Sequence, residues 1–215
     1  MWDRLSPPWQ ACVEQAWIAY CEKSLPIGAV VADRNGKILS VGRNRIYDRT
    51  DSDSGKLKGM PLAHAEMNAL IALDYESINL RSAILYTTSE PCPLCIGGLY
   101  MSGVGELRYA SRDPYTGSVE LLEKTAYLRM KKIQVMGPED PDFEHLLITW
   151  LVGGNKMQIT DKSYKKVIDT WESTFPIAVE DGRKLHEAGI LAAICNRSAS
   201  AHDFLDRLEE FITNS

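Results

Sequence analysis

Apolar positions along the chain fall into alternating helical and strand-like periods. Over residues 9–23, Cys12, Val13, Ala16, Trp17, Ala19 and Tyr20 recur at helical spacing, and Pro26 is expected to stop that helix. Two apolar runs follow at 27–33 and 37–43, joined by Arg34-Asn35-Gly36. Asn-Gly accepts the left-handed backbone of a tight turn, so the two runs are predicted to pair antiparallel as a hairpin. Residues 48–60 are rich in Asp, Ser, Gly and Lys and read as a surface loop. Beyond it the pattern predicts a helix over 63–74 and a buried strand over 83–88. Pro91 then opens a helix reaching about Met101, because proline fits a first turn where its missing N–H costs nothing. A strand at 106–110, a helix at 119–128, a strand at 132–136 and a helix at 143–152 complete the series. Gly137-Pro138-Glu139-Asp140-Pro141 breaks the chain before the last of these. Strands separated by helices after one starting hairpin imply a layered α/β domain with a mixed sheet.

Gly153-Gly154-Asn155 is the expected boundary between a domain over residues 1–155 and an extension over 156–215. The extension reads as three short helices interrupted around Pro176 and over 196–200. Ser200 followed by Asp203 is an N-cap signal for the last helix, although Glu or Gln is the usual partner at that position. The extension's many apolar residues, among them Val167, Ile168, Trp171, Phe175, Leu191, Ile194 and Phe204, are enough to pack on the core or on a partner. One expectation is that it covers the mouth of the site described below.

Composition narrows the classes. The 215 residues are 45% hydrophobic and 25% charged, which supports a sizeable core and excludes a largely disordered chain. Twenty-four basic and 29 acidic side chains give a net charge of −5, so there is no broadly basic nucleic-acid coat. No apolar run approaches the roughly 20 residues of a membrane span, and the first residues lack a signal-peptide core. A cytoplasmic protein is therefore expected. Five cysteines, an odd number without a secretory signal, argue against a disulfide framework. Cys12, Cys21 and Cys195 are expected to be buried free thiols packing as small hydrophobes.

Cys92 and Cys95 differ, since they form a Cys-x-x-Cys preceded by Pro91, 26 positions after Glu66 of His64-Ala65-Glu66. One imidazole and two thiolates suit Zn²⁺ and leave a fourth position for water. A helix start at the cysteines favours anionic sulfur. Glu66, two residues beyond His64, is placed to move protons to and from that water. Each half alone has ordinary readings: His-x-Glu occurs by chance, and Cys-x-x-Cys serves as a redox pair or half a structural zinc site. The remaining histidines, His145, His186 and His202, are scattered and offer no obvious fourth structural ligand. Together the two halves point to a catalytic zinc site.

His-x-Glu followed by Pro-Cys-x-x-Cys is the signature of zinc nucleobase deaminases. Over about residues 8–140 the sequence resembles the cytidine and deoxycytidylate deaminase superfamily, especially the branch of tRNA adenosine and guanine deaminases. The resemblance extends to Pro26-Ile27-Gly28-Ala29-Val30-Val31, Gly42-Arg43-Asn44-Arg45, His64-Ala65-Glu66-Met67-Asn68-Ala69-Leu70, Ser89-Glu90-Pro91-Cys92 and Arg112-Asp113-Pro114-Tyr115-Thr116-Gly117. It implies a three-layer α-β-α sandwich around a five-stranded mixed sheet, here with a C-terminal helical extension, assembling as a homodimer. It also implies that His64, Cys92 and Cys95 hold zinc, that Glu66 is the catalytic proton shuttle, and that Asn44, Ala65 and Ser89 line the substrate site. Ile27 to Ala29 read equally as pocket wall or as strand core.

The expected reaction is hydrolytic removal of an exocyclic amino group with release of ammonia. A free nucleobase or nucleoside is the preferred substrate, and adenosine within tRNA is the alternative. The Arg112–Gly117 segment and the run after His64 resemble tRNA deaminases, whereas Pro-Cys-Pro-Leu-Cys is closer to guanine deaminases. The extension's eight basic and ten acidic residues do not make a basic arm for RNA. A non-catalytic zinc- or nucleotide-binding module is the remaining alternative, and Glu66 argues against it.

Overall fold

The computed structural model describes residues 1–49, 57–154, 162–195 and 199–214. Helix α1 (Pro7–Cys21) leads into the hairpin β1 (Gly28–Ala32) and β2 (Ile38–Arg43), followed by α2 (Ala65–Ile71) and β3 (Ile84–Ser89). Then come α3 (Pro93–Ser102), β4 (Glu106–Ser111), a 3-10 turn at Val119–Glu123, α4 (Ala126–Arg129), β5 (Gln134–Met136) and α5 (Pro141–Gly154). Four helices end the described chain: α6 (Lys162–Thr174), α7 (Pro176–Glu187), α8 (Ile190–Cys195) and α9 (Ala201–Thr213).

The sheet order is β2-β1-β3-β4-β5. The hairpin is antiparallel as expected, with Val30 opposite Val41 and Gly36 at φ +82° in the turn. β1 also pairs antiparallel with β3, whereas β3, β4 and β5 run parallel. Alternation assigns the two faces. Val30, Ala32, Ile84 and Tyr86 pack toward α1 and α5 in one cluster, and Ala29, Val31 and Leu85 pack toward α2 and α3 in another. This is the expected three-layer sandwich. Two glycines let the layers close: a Cβ on Gly28 would overlap the Cys12 carbonyl of α1, and one on Gly42 would overlap the Ala65 carbonyl of α2.

Several local expectations are corrected. α1 ends at Cys21, five residues before Pro26. Lys23 turns left-handed (φ 68°) and its N–H bonds the Tyr20 carbonyl, while Ser24 N–H bonds the Ala19 carbonyl. This paired closure caps a helix without help from proline. α3 starts at Pro93, with Cys92 as N-cap, so Pro93 and not Pro91 occupies the first turn. The helix expected over 119–128 is split into the 3-10 turn and α4, with Thr125 capping the second piece through Leu128 N–H. The extension holds four helices among the described residues, because Gly189 at φ 64° separates α7 from α8. Ser200 and Asp203 do form a reciprocal capping box at α9. Part of the loop expected over 48–60, and Asn155 of the expected boundary, lie outside the described residues.

The cysteine reading is corrected as well. Cys21 and Cys195 form a disulfide that ties the end of α1 to the end of α8 across 174 residues, with Cα atoms 5.8 Å apart. Distance in sequence hid the pair, since the fold brings α8 back to α1. Cys12 is a buried free thiol as expected. The C-terminal helices enter the core on the α1 face, where Leu185, Leu191, Ile194, Phe204, Leu205 and Leu208 share one cluster with Trp9, Trp17 and Trp150. No described helix is long and apolar enough to cross a membrane.

Candidate active site

The starts of α2 and α3 meet at the end of β3. His64 is the N-cap of α2, with its carbonyl accepting from Asn68 N–H at 3.0 Å, and Glu66 lies in the first turn. Cys92 is the N-cap of α3 and Cys95 sits one turn on. Fully buried Asn68 holds the surroundings: its Nδ2 donates to the Arg43 and Leu57 carbonyls at 3.2 and 3.1 Å, and its Oδ1 accepts from Leu57 N–H at 2.8 Å. Asn68 thereby ties α2 to the end of β2.

His64 Nδ1 lies 3.6 Å from Cys92 Sγ and 3.5 Å from Cys95 Sγ, and the two sulfurs are 3.7 Å apart. Tetrahedral zinc, with Zn–S of about 2.3 Å and Zn–N of about 2.0–2.1 Å, calls for roughly 3.8 Å between sulfurs and roughly 3.6 Å from sulfur to nitrogen. The three donors fit that ion, and they are the metal-competent cluster among the described residues. The proton balance fits too. The Cys92 thiol is pushed down to about 4, first by its hydrogen bond with Cys95 and further by His64, against the opposing effect of burial. Cys95 is pushed up by that same bond, by burial and by the Glu66 charge. His64 is raised by its bond with Cys92, and a hydrogen bond to the Pro61 backbone acts in the same direction. A divalent cation would take the place of the proton left on Cys95.

Glu66 is almost fully buried (3% exposed), and burial raises its carboxyl above the usual range. Thr87 Oγ1 donates to Glu66 Oε1 at 3.2 Å. Thr87 shares the parity of Leu85 on β3, so it faces α2 and meets that carboxylate. Ser89, two residues further, has the same parity.

These groups open into a cavity of about 530 Å³. Its lining includes His64, Glu66, Cys92, Asn44 and Ser89, so six of the seven expected site residues gather in one place, counting Cys95 through the metal cluster. Ala65 is fully buried at the start of α2 and is not among the cavity-lining residues. Ile27 lines the cavity, whereas Ala29 is core. Asn44 is buried with its amide oriented: Oδ1 accepts from Ser24 Oγ at 2.7 Å and from Ile46 N–H at 3.2 Å. A main-chain N–H only donates, so the oxygen is fixed there and Nδ2 is the group left to donate to a ligand.

Further residues beyond these seven line the cavity. Glu90 accepts from Val119 and Asp113 N–H at 3.3 and 3.4 Å and thereby ties the 112–117 segment to the cysteine loop. Asp113, Tyr115 and Thr116 of that segment line the cavity, with Asp113 Oδ1 accepting from both Tyr115 and Thr116 N–H at 2.9 Å. Their motif was legible, but the strand ends that bring it to the cavity were not. Val167, Ile168 and Trp171 of the extension also line the cavity, in keeping with the expectation that the extension reaches the site. Leu151 and Val152 of α5 line it without a sequence signal that linked them to the histidine and cysteines.

Comparison with known proteins decides the family. The region described as "Cytidine and deoxycytidylate deaminase zinc-binding region" matches residues 7–111. A tRNA-specific adenosine deaminase from Rickettsia bellii is 34% identical over 111 residues, covering 50% of this chain and 70% of that one. The chain belongs to the cytidine and deoxycytidylate deaminase family. A guanine deaminase from Bacillus subtilis is 33% identical over 88 residues, 40% of this chain and 50% of that protein. The chain spans only 17% of a tRNA(Ile)-lysidine synthase from Deinococcus deserti, to which it is 34% identical over 99 residues, 45% of its own length. The solved structure of NE0047 in complex with 2,6-diaminopurine matches with a TM-score of 0.51 at 23% identity, covering 68% of this chain and 81% of that one. That likeness is one of fold.

Proposed function

We propose that this chain is a zinc-dependent hydrolytic deaminase acting on a free nucleobase or nucleoside. The observation that carries the reading is the His64, Cys92 and Cys95 cluster with zinc-like spacings, opening with buried Glu66 into one cavity. Zinc held by these three side chains would supply Lewis-acid chemistry that makes water nucleophilic near neutral pH. Glu66 takes one proton from the attacking water and passes it to the ring nitrogen. It then takes the second from the hydroxyl newly bonded to the ring carbon and passes it to the departing amino group, so water and the amino compound become the oxo compound and ammonia. Burial raises the proton affinity of Glu66, which suits a group that must both accept and release a proton. The Thr87 hydroxyl holds its carboxylate. Asn44 donates its amide N–H to a substrate acceptor, and Ser89 lines the same cavity. Ala65 contributes through the backbone at the start of α2. The guanine deaminase relative and the net charge of −5 support a small substrate.

Adenosine within tRNA is the second reading, favoured by the longer match to a tRNA-specific adenosine deaminase. Ammonia release from guanine, adenine, cytosine and their nucleosides, with Glu66→Ala as control, separates the two. Turnover of one compound, reduced by at least about 10²-fold in the variant, is expected. Silence across the panel from zinc-loaded protein, with turnover of an anticodon stem-loop, would overturn the first reading. We further propose a cytoplasmic homodimer, which light scattering on the purified chain tests for its assembly.

A further inference from the structure

Two chemically different groups of residues line the cavity. Asn44, His64 and Glu66 are polar, and Leu151, Val152, Val167, Ile168 and Trp171 are apolar residues of α5 and α6. Within α6, Val167, Ile168, Trp171 and Phe175 follow at helical spacing, while Lys165, Lys166 and Asp169 are exposed. Trp171 is 4% exposed and packs with Phe175, Val152 and Val179, which anchors the helix on α5 and α7. Val167 and Ile168 are only half-buried, so they present apolar surface to the cavity from a fixed helix. Among the described residues, no lysine or arginine lines the cavity, whereas Glu66, Glu90 and Asp113 do. Phosphate groups call for cations, and the described lining supplies neither lysine nor arginine to meet them.

We propose that the α6 face is the substrate-recognition wall of the site: Ile168, Val167 and Trp171 take the apolar face of an uncharged heterocycle. Such a site selects bases and nucleosides over nucleotides and RNA. This rests on the deaminase reading and narrows its substrate class. A planar heterocycle has polar edges and apolar faces, and the cavity lining supplies both polar and apolar groups to meet them.

The test compares Ile168→Ala, Val167→Ala and Trp171→Phe with Lys165→Ala, whose side chain is exposed on the same helix. Each zinc-loaded protein is given the base and nucleoside panel, the corresponding 5′-monophosphates and an anticodon stem-loop. Tryptophan emission is also recorded on titration with each base. The expected result is a KM raised about tenfold in Ile168→Ala, with kcat little changed and Lys165→Ala at the wild-type value. Quenching of emission by the base should fall in Trp171→Phe. If that variant fails to fold, half-buried Ile168 and Val167 carry the test. A KM within twofold of wild type in both alanine variants, while the panel is still turned over, overturns the wall and leaves the deaminase reading standing. Preference for monophosphates or RNA overturns the substrate class. Base-dependent quenching that is lost in Ile168→Ala, without ammonia from any compound, supports the wall and sinks the deaminase reading instead.

Discussion

Phe204 of α9 belongs neither to the metal cluster nor to the cavity lining, yet its removal should destabilise the whole sheet domain. Its ring is fully buried, stacked on Trp17 of α1 at 4.4 Å and 14°, and tilted against Trp150 of α5 at 4.4 Å. Trp17 Nε1 also donates to the Ala199 carbonyl at 2.9 Å, just before α9. Phe204→Ala deletes a ring from a packed site that cannot readily collapse, at a cost of about 3–5 kcal/mol. The two ring contacts argue against the low end of that range and set the expected cost at about 4 kcal/mol. For a chain of this size, that lowers Tm by roughly 8–16 °C. The assay is thermal unfolding followed in parallel by far-UV circular dichroism and tryptophan emission. Because α9 shares a cluster with residues of α1, β1 and β3, one transition should move as a unit. A loss below about 1 kcal/mol, or an early transition leaving the main one in place, would refute the claim that α9 is part of that core.

Three other perturbations probe the rest of the molecule. The Asp48 carboxylate, 2% exposed, accepts from Arg43 at 2.8 and 3.0 Å and from Arg45 at 2.7 Å. Burial would raise its pKa, but these bonds outweigh that and lower it. Its stabilisation is therefore present above the ordinary carboxyl range and lost as pH falls through its own lower value. Asp48→Asn should cost about 3 kcal/mol at pH 7, and urea curves should show that gap closing below about pH 4; a pH-independent gap would refute the assignment. Thiol titration of unfolded, unreduced protein should count three free cysteines, Cys12, Cys92 and Cys95, and reduction should destabilise the chain by roughly 2–4 kcal/mol. Five free thiols and an unchanged Tm would contradict the clasp. Chelation should abolish ammonia release and added zinc restore it in the wild type but not in Cys95→Ser; activity surviving complete metal removal would refute the metal assignment.

Chemistry carried by short, fixed spacings was legible in the chain alone. His64 and Glu66 stand two residues apart, Cys92 and Cys95 one helical turn apart, and the Asn35-Gly36 turn is similarly local. Strand parity also follows from the chain, which is why Thr87 and Ser89 face the same layer as Leu85. Helix ends were less legible, because capping depends on atoms that close a turn. Cys92 and Lys23 do that work where Pro91 and Pro26 were expected to. Only the tertiary structure brought distant segments together. The Cys21–Cys195 clasp, the Trp17–Phe204 stack and the α6 wall beside Glu66 join residues more than 100 positions apart. Nothing in local periodicity specifies such partners; they are set by which apolar faces remain to be covered once the sheet and its first helices have packed.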